Sequence, residues 1–187
     1  MNKTVELPLI EPLYSTYHYQ AAGTAILVNN PTIRNFYLNK VMILCCTRKF
    51  LSGFTSPEIS ILDSAWQDNP NFTLEWYPIK ILKGYINPVI RELIDNDYYV
   101  YFNCIDDYYI RGKTWYRERH FGHDGLLCGY NQTDKTYCIY AYDNDWILQK
   151  FWTSQNAFNA GRKAMHKQNN DGIICGIKPK QDKIDFQ

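Results

Sequence analysis

The chain has 187 residues, a formal net charge of +1 and 45% hydrophobic residues, which is enough for one domain with a sizeable core and does not demand two. No lysine or arginine block rises above the background, the longest clusters being TRK at 47–49 and GRK at 161–163, so nucleic acid and anionic membranes are excluded as main partners. No window approaches the roughly eighteen apolar residues of a membrane span, and the N-terminal MNKTVELPLIEPL lacks the pattern of a signal peptide, so a cytoplasmic protein is expected.

Residues 17–28 (YHYQAAGTAILV) read as a helix: alanines dominate, apolar positions recur at helical spacing, Ser15 or Thr16 can cap it, and NNP at 29–31 stops it. The apolar run FYLNKVMILCC at 36–46 fits a helix or a buried strand equally. A loop rich in Pro, Ser, Asn and Asp is expected over roughly 52–78, with a short apolar run at its centre. Asn87 and Pro88 open an amphipathic helix, NPVIRELIDN, with proline in the first turn where its missing N–H is harmless. Strands are predicted at 98–105, 125–130, 136–142 and 146–152, a helix at about 154–166 capped by Thr153 or Ser154, and a last strand at 172–178. Helices first and antiparallel strands afterwards spell a single α+β domain over 1–187.

The stretch HFGHDGLLCGY at 120–130 and the later TYCIYAYDND at 136–145 carry the chemistry. Both contain strand-forming runs, and NQTDK between them is made of turn formers, so the pair reads as a β-hairpin. His123 then precedes one strand and Asp143 follows the other, at the same open end. A carboxylate that accepts a hydrogen bond from one ring nitrogen fixes the tautomer and leaves the other nitrogen as a general base. His120 competes with His123 for that role, and Asp145 with Asp143. Asp106, Asp107 and Tyr108 form an acidic and aromatic cluster that either holds a cationic amine or simply ends a strand.

Six cysteines are present, but Cys45 and Cys46 are adjacent, Cys104, Cys128 and Cys138 lie in apolar runs, and no CxxC pair occurs. Buried free thiols are therefore expected, with no metal and no cofactor. The 16 tyrosines, 5 tryptophans and 9 phenylalanines suit either a cleft of flat rings or an aromatic core.

The segments LIDNDYYVYFNCIDDYYI, HFGHDGLLCGY, YAYDND and FWTSQNAF, taken in order, resemble the N-terminal domain of butirosin biosynthesis protein H and the bacteriocin-processing cysteine proteases that share its papain-like fold. The likeness lies between 90 and 165, somewhat under half of the chain, and small cysteine-protease-like proteins of nonribosomal peptide and thioamide pathways look most similar in size. The resemblance implies a papain-like fold, an N-terminal helix packed on an antiparallel sheet, and a nucleophile at that helix's start, where the positive end of the dipole favours a thiolate. It also implies an acyltransferase that moves an acyl chain from an acyl or peptidyl carrier protein to a small amine, with His123 as base and Asp143 as its orienting carboxylate.

The departure is at the nucleophile. Relatives carry Cys, Gly, any residue, Ala, any residue, Leu; here the run is Ala22, Gly23, Thr24, Ala25, Ile26, Leu27. Alanine cannot attack a thioester, so the chain should lack covalent turnover. A Cys→Ala exchange in an active parent and a natural loss of the sulfur both give this sequence; the first is favoured because the other two members are kept. His18 or Tyr19 at the nucleophile position, and Cys104 as the thiol, are the alternatives. Gln20 is the residue type that donates to an oxyanion in papain-like sites, although it stands nearer to position 22 than those enzymes place theirs. A binding protein without chemistry, or a hydrolase or peptidase, are the other functional readings.

Overall fold

The structure, a computed structural model, describes residues 3–12, 18–26, 44–46, 59–61, 72–167 and 172–180. In chain order the elements are β1 (Thr4–Glu6), α1 (His18–Ile26), β2 (Leu44–Cys46), β3 (Ile59–Ile61), β4 (Phe72–Pro78), α2 (Ile79–Leu82), a 3₁₀ turn (Lys83–Tyr85), α3 (Ile86–Asp95), β5 (Tyr99–Asp106), a second 3₁₀ turn (Asp107–Tyr109), β6 (Gly122–Asn131), β7 (Thr136–Tyr142), β8 (Leu148–Ser154), α4 (Gln155–Lys167) and β9 (Ile173–Pro179). One antiparallel sheet runs β4-β9-β5-β6-β7-β8, and β2 and β3 form a separate antiparallel ladder. The expected α+β class is what forms.

The buried strand β5 lies between β9 and β6, near the middle of the sheet. β6 pairs with β5 through Leu127, and beyond it β1 takes the same edge, with Glu6 opposite Gly129 and Thr4 opposite Asn131. A β-carbon at Gly129 would meet the Val5 carbonyl oxygen at 2.5 Å, so only glycine lets the β1 backbone come this close.

Helix α3 buries Ile86, Ile90, Leu93 and Ile94, a single stripe at helical spacing. Its end is a Schellman motif: Tyr98 N–H donates to Leu93 O at 2.9 Å and Asp97 N–H to Ile94 O at 3.1 Å, with Asp97 left-handed at φ 64. Tyrosines tie this helix to the sheet, the Tyr130 hydroxyl donating to Asp95 and that of Tyr137 to Asn87. These rings therefore serve as core with a satisfied polar tip. The helix α1 lies against β6 and β7 and buries Ala21, Ala22, Ala25 and Ile26.

Helix α4 is capped by Ser154, whose hydroxyl accepts from Ala157 N–H at 3.1 Å. It buries Phe158 edge-on against Phe102 and Tyr137. One turn later Gly161 lets it come down onto the end of β5, where a β-carbon would meet Asp106 O at 2.9 Å and Ile105 Cγ1 at 2.8 Å.

The expected loop over 52–78 needs correction, since it contains β3 and ends in β4. β4 is an edge strand with only Phe72 of its seven residues fully buried, so its apolar alternation is weak in the sequence. Of the undecided run at 36–46, residues 44–46 are a strand and the rest lie outside the described residues, as do the proposed caps Ser15 and Thr16. Cys104, Cys128, Cys138 and Cys175 are buried free thiols. No helix among the described residues is long and apolar enough to cross a membrane.

Because backbone oxygen crowds the site of the missing β-carbon, Gly161→Ala should destabilise the fold by about 1–3 kcal/mol. A shift of the urea unfolding midpoint at constant slope measures this, and an unchanged midpoint would show that α4 does not press on β5.

Candidate acid–base site

The site is built where β5 runs out. A register irregularity between Phe102 and Ile105 precedes the two aspartates that end the strand and begin the 3₁₀ turn. Asp106 and Asp107 are both fully buried. Two adjacent carboxylates withdrawn from water must each find partners, because an unpaired buried charge costs several kcal/mol.

Asp106 finds them in the backbone and in one imidazole. Its Oδ1 accepts from Tyr108 N–H at 3.2 Å and Phe121 N–H at 3.1 Å, and its Oδ2 lies 2.6 Å from His120 Nδ1. The His120 ring is about half exposed and lies against Tyr108, with centroids 4.5 Å apart.

Asp107 takes the second imidazole, its Oδ2 lying 2.5 Å from His123 Nδ1. Its Oδ1 faces the buried ammonium of Lys113 at 3.8 Å, and that ammonium donates to Tyr142 O at 2.8 Å. A carboxylate can only accept, so beside it a neutral imidazole carries its proton on Nδ1 and has Nε2 as its acceptor atom, the arrangement a general base uses. His123 sits within β6, opposite Ile105, and its ring meets Phe121 edge-on at 4.6 Å. Arg119 stacks over Trp115 at 3.8 Å and over Phe121 at 5.0 Å, which continues this aromatic wall.

The predicted hairpin is present, with Leu126 opposite Tyr140, but Asp143 is not the carboxylate that holds His123 Nδ1. Asp143 organises the β7–β8 turn instead: its Oδ1 accepts from Asp145 N–H and Ile147 N–H, both at 2.9 Å, and its Oδ2 accepts from Gln149. Burial pushes the Asp143 carboxyl up, but the hydrogen bonds from Ile147, Gln149 and Asp145 outweigh it and hold the group below its ordinary range. The side chain of Asp145 is exposed beside this turn.

Asp106 and Asp107 are correspondingly not an amine-binding surface, since both carboxylates are buried and engaged. Tyr108 flanks His120. Ala22 is the fifth residue of α1 and only 2% exposed, so it does not stand at a helix start, and the dipole acts mainly within the first turn. The side chains of His18, Tyr19 and Gln20 lie outside the described residues. The Cys104 thiol is pushed up by burial and by the carboxylates of Asp106, Asp124 and Asp107, so it keeps its proton. Among the described residues no group of three or more His, Cys, Asp and Glu could hold a metal ion.

The chain matches no family model, no curated protein and no solved structure in the comparisons made.

The sequence does contain a signal for the two pairs, in adjacent aspartates at a strand end and two histidines three apart at the start of the next strand. Reading the hairpin alone hides it, because β6 has two neighbours and the carboxylate comes from the β5 side.

Two outcomes follow from the exchange of carboxylates. In nitrogen-15 spectra of the histidines, Asp107→Asn should release His123 from a single Nδ1–H tautomer, whereas Asp143→Asn should leave it unchanged; the reverse result would restore Asp143 as the orienter. Asp143→Ala should cost about 1–3 kcal/mol at neutral pH through lost turn hydrogen bonds. Since the folded carboxyl is held low, that contribution is complete above its unfolded value of about 3.9 and fades as the pH falls through the folded value. Denaturant unfolding of wild type and variant at pH 7 and pH 3 measures the narrowing.

Proposed function

We propose that the chain is a papain-like acyl-transfer scaffold whose base is the His123–Asp107 dyad and whose nucleophile position, residue 22, holds alanine. The observation that carries this reading is the 2.5 Å contact of His123 Nδ1 with a fully buried carboxylate, the contact by which a carboxylate orients a general-base imidazole. The resemblance in sequence supplies the reaction class. The α+β architecture, with a helix against an antiparallel sheet, is compatible with it.

In the active parent, a cysteine at position 22 gives its proton to His123 Nε2 and its sulfur attacks the thioester carbonyl of an acyl or peptidyl carrier protein. The carrier thiol leaves with a proton and the acyl group remains on the cysteine. A small amine then attacks, the amide leaves, and the cysteine thiol is regenerated; water in place of the amine gives hydrolysis. No metal or cofactor enters this chemistry, and four buried free thiols suit the reducing cytoplasm.

A second reading, a binding protein without chemistry, is favoured by the packing of Ala22 in the core, where a small apolar residue needs no other explanation.

Ala22→Cys separates the two. Incubated with an acylated carrier protein, this variant should gain the mass of one acyl group, and the additional change His123→Ala should abolish the gain. A folded Ala22→Cys protein that forms neither adduct nor amide would leave the binding reading in place.

A further inference from the structure

Loop 110–121 carries a lysine to an improbable place. Lys113 is 5% exposed, and long cationic side chains are almost never buried unless paired. Its ammonium lies between the Tyr142 carbonyl oxygen, 2.8 Å away, and Asp107 Oδ1, 3.8 Å away. Among the described residues that buried Oδ1 accepts no hydrogen bond, and Lys113 is the cation paired with it. The other carboxylates that face the ammonium are those of Asp124 and Asp143, while His123 lies across Asp107 from it.

The position is over-determined by backbone. Lys113 N–H donates to Ile110 O at 3.2 Å, Thr114 Oγ1 donates to Asp143 O at 3.2 Å, and Asn144 N–H donates to Gly112 O at 2.9 Å. Gly112 has φ 95, a left-handed conformation that glycine adopts without strain. The loop is thus fastened to the β7–β8 turn on both sides of the lysine, and the turn is held by Asp143.

We infer that Lys113 is a positioning residue of the His123–Asp107 dyad, whose charge keeps the buried carboxylate ionised and His123 a neutral Nδ1–H base. This rests on the reading of His123 as the base. The physical reason is charge balance. Lys113 and Asp107 together are neutral, so the imidazole can remain neutral beside them. Without the cation the pair would carry one uncompensated buried negative charge, and the least costly relief is a proton taken onto the dyad. A base that already holds its proton cannot accept one from a nucleophile.

A structural role and a positioning role predict different spectra. Both lower stability in Lys113→Met, because the tie to Tyr142 is lost. Only the positioning role changes the protonation of His123. At fixed neutral pH, the nitrogen-15 spectrum of Lys113→Met should show the ratio of doubly protonated to neutral His123 raised by about tenfold or more, a change worth about 1.4 kcal/mol. Lys113→Arg, which keeps the charge, should restore the wild-type spectrum. An unchanged ratio in folded Lys113→Met overturns the inference.

Should Lys113→Met not fold, the wild type carries the test. Burial brings the Lys113 ammonium below the ordinary lysine range, although Asp107, Asp124 and Asp143 oppose this. Its loss of a proton should then be sensed as a second movement of the His123 ring resonances, and a ring that stays still through that step overturns the inference. Neither measurement needs a substrate, so failure of acyl transfer leaves them intact.

Discussion

The structure around the site depends on one constraint, the burial of two neighbouring carboxylates at the end of β5. Asp106 and Asp107 are fully withdrawn from water, and each would be destabilising by several kcal/mol without partners. The fold meets this by bringing three kinds of partner to a short stretch of chain: two backbone N–H groups, two imidazoles and one ammonium. Loop 110–121 and the start of β6 supply nearly all of them. The path of that loop is therefore as much a consequence of the two aspartates as of its own turn residues.

The two pairs are alike in chemistry and unlike in setting. His120 is about half exposed and its carboxylate is also held by two backbone N–H groups, so Asp106 would remain satisfied in part if the ring moved away. His123 is only 24% exposed, and its carboxylate has an ammonium and one imidazole in place of backbone donors. Its ring is consequently more tightly tied to the charge state of its surroundings. That difference in enclosure sets His123 apart from His120, a distinction that residue type and spacing do not contain.

Much of the fold was legible because its signals are local. The stripe of Ile86, Ile90, Leu93 and Ile94, the cap at Ser154 and the turn NQTDK each specify an element within a few residues. β4 was not, since its exposure pattern reflects an edge position that only the sheet order creates. The site was half legible for the same reason. The hairpin places His123 and Asp143 at one end, but a strand inside a sheet has a neighbour on each side, and hydropathy does not say which one holds the imidazole. Asp143 looked free to act because turn hydrogen bonds from Asp145, Ile147 and Gln149 leave no mark in composition.

Asp143 and Asp107 nonetheless belong to one mechanical unit. Asp143 fixes the β7–β8 turn, the turn holds Thr114 and Gly112, and these place Lys113 against Asp107. A change at Asp143 can thus disturb the surroundings of His123 without touching its ring, by loosening the loop that carries Lys113. An altered charge around His123 in an Asp143 variant is accordingly no evidence that Asp143 touches the imidazole. The tautomer of His123 is the observable that separates direct orientation from support at a distance, because loosening the loop alters the charge near Asp107 before it frees Nδ1 from its carboxylate.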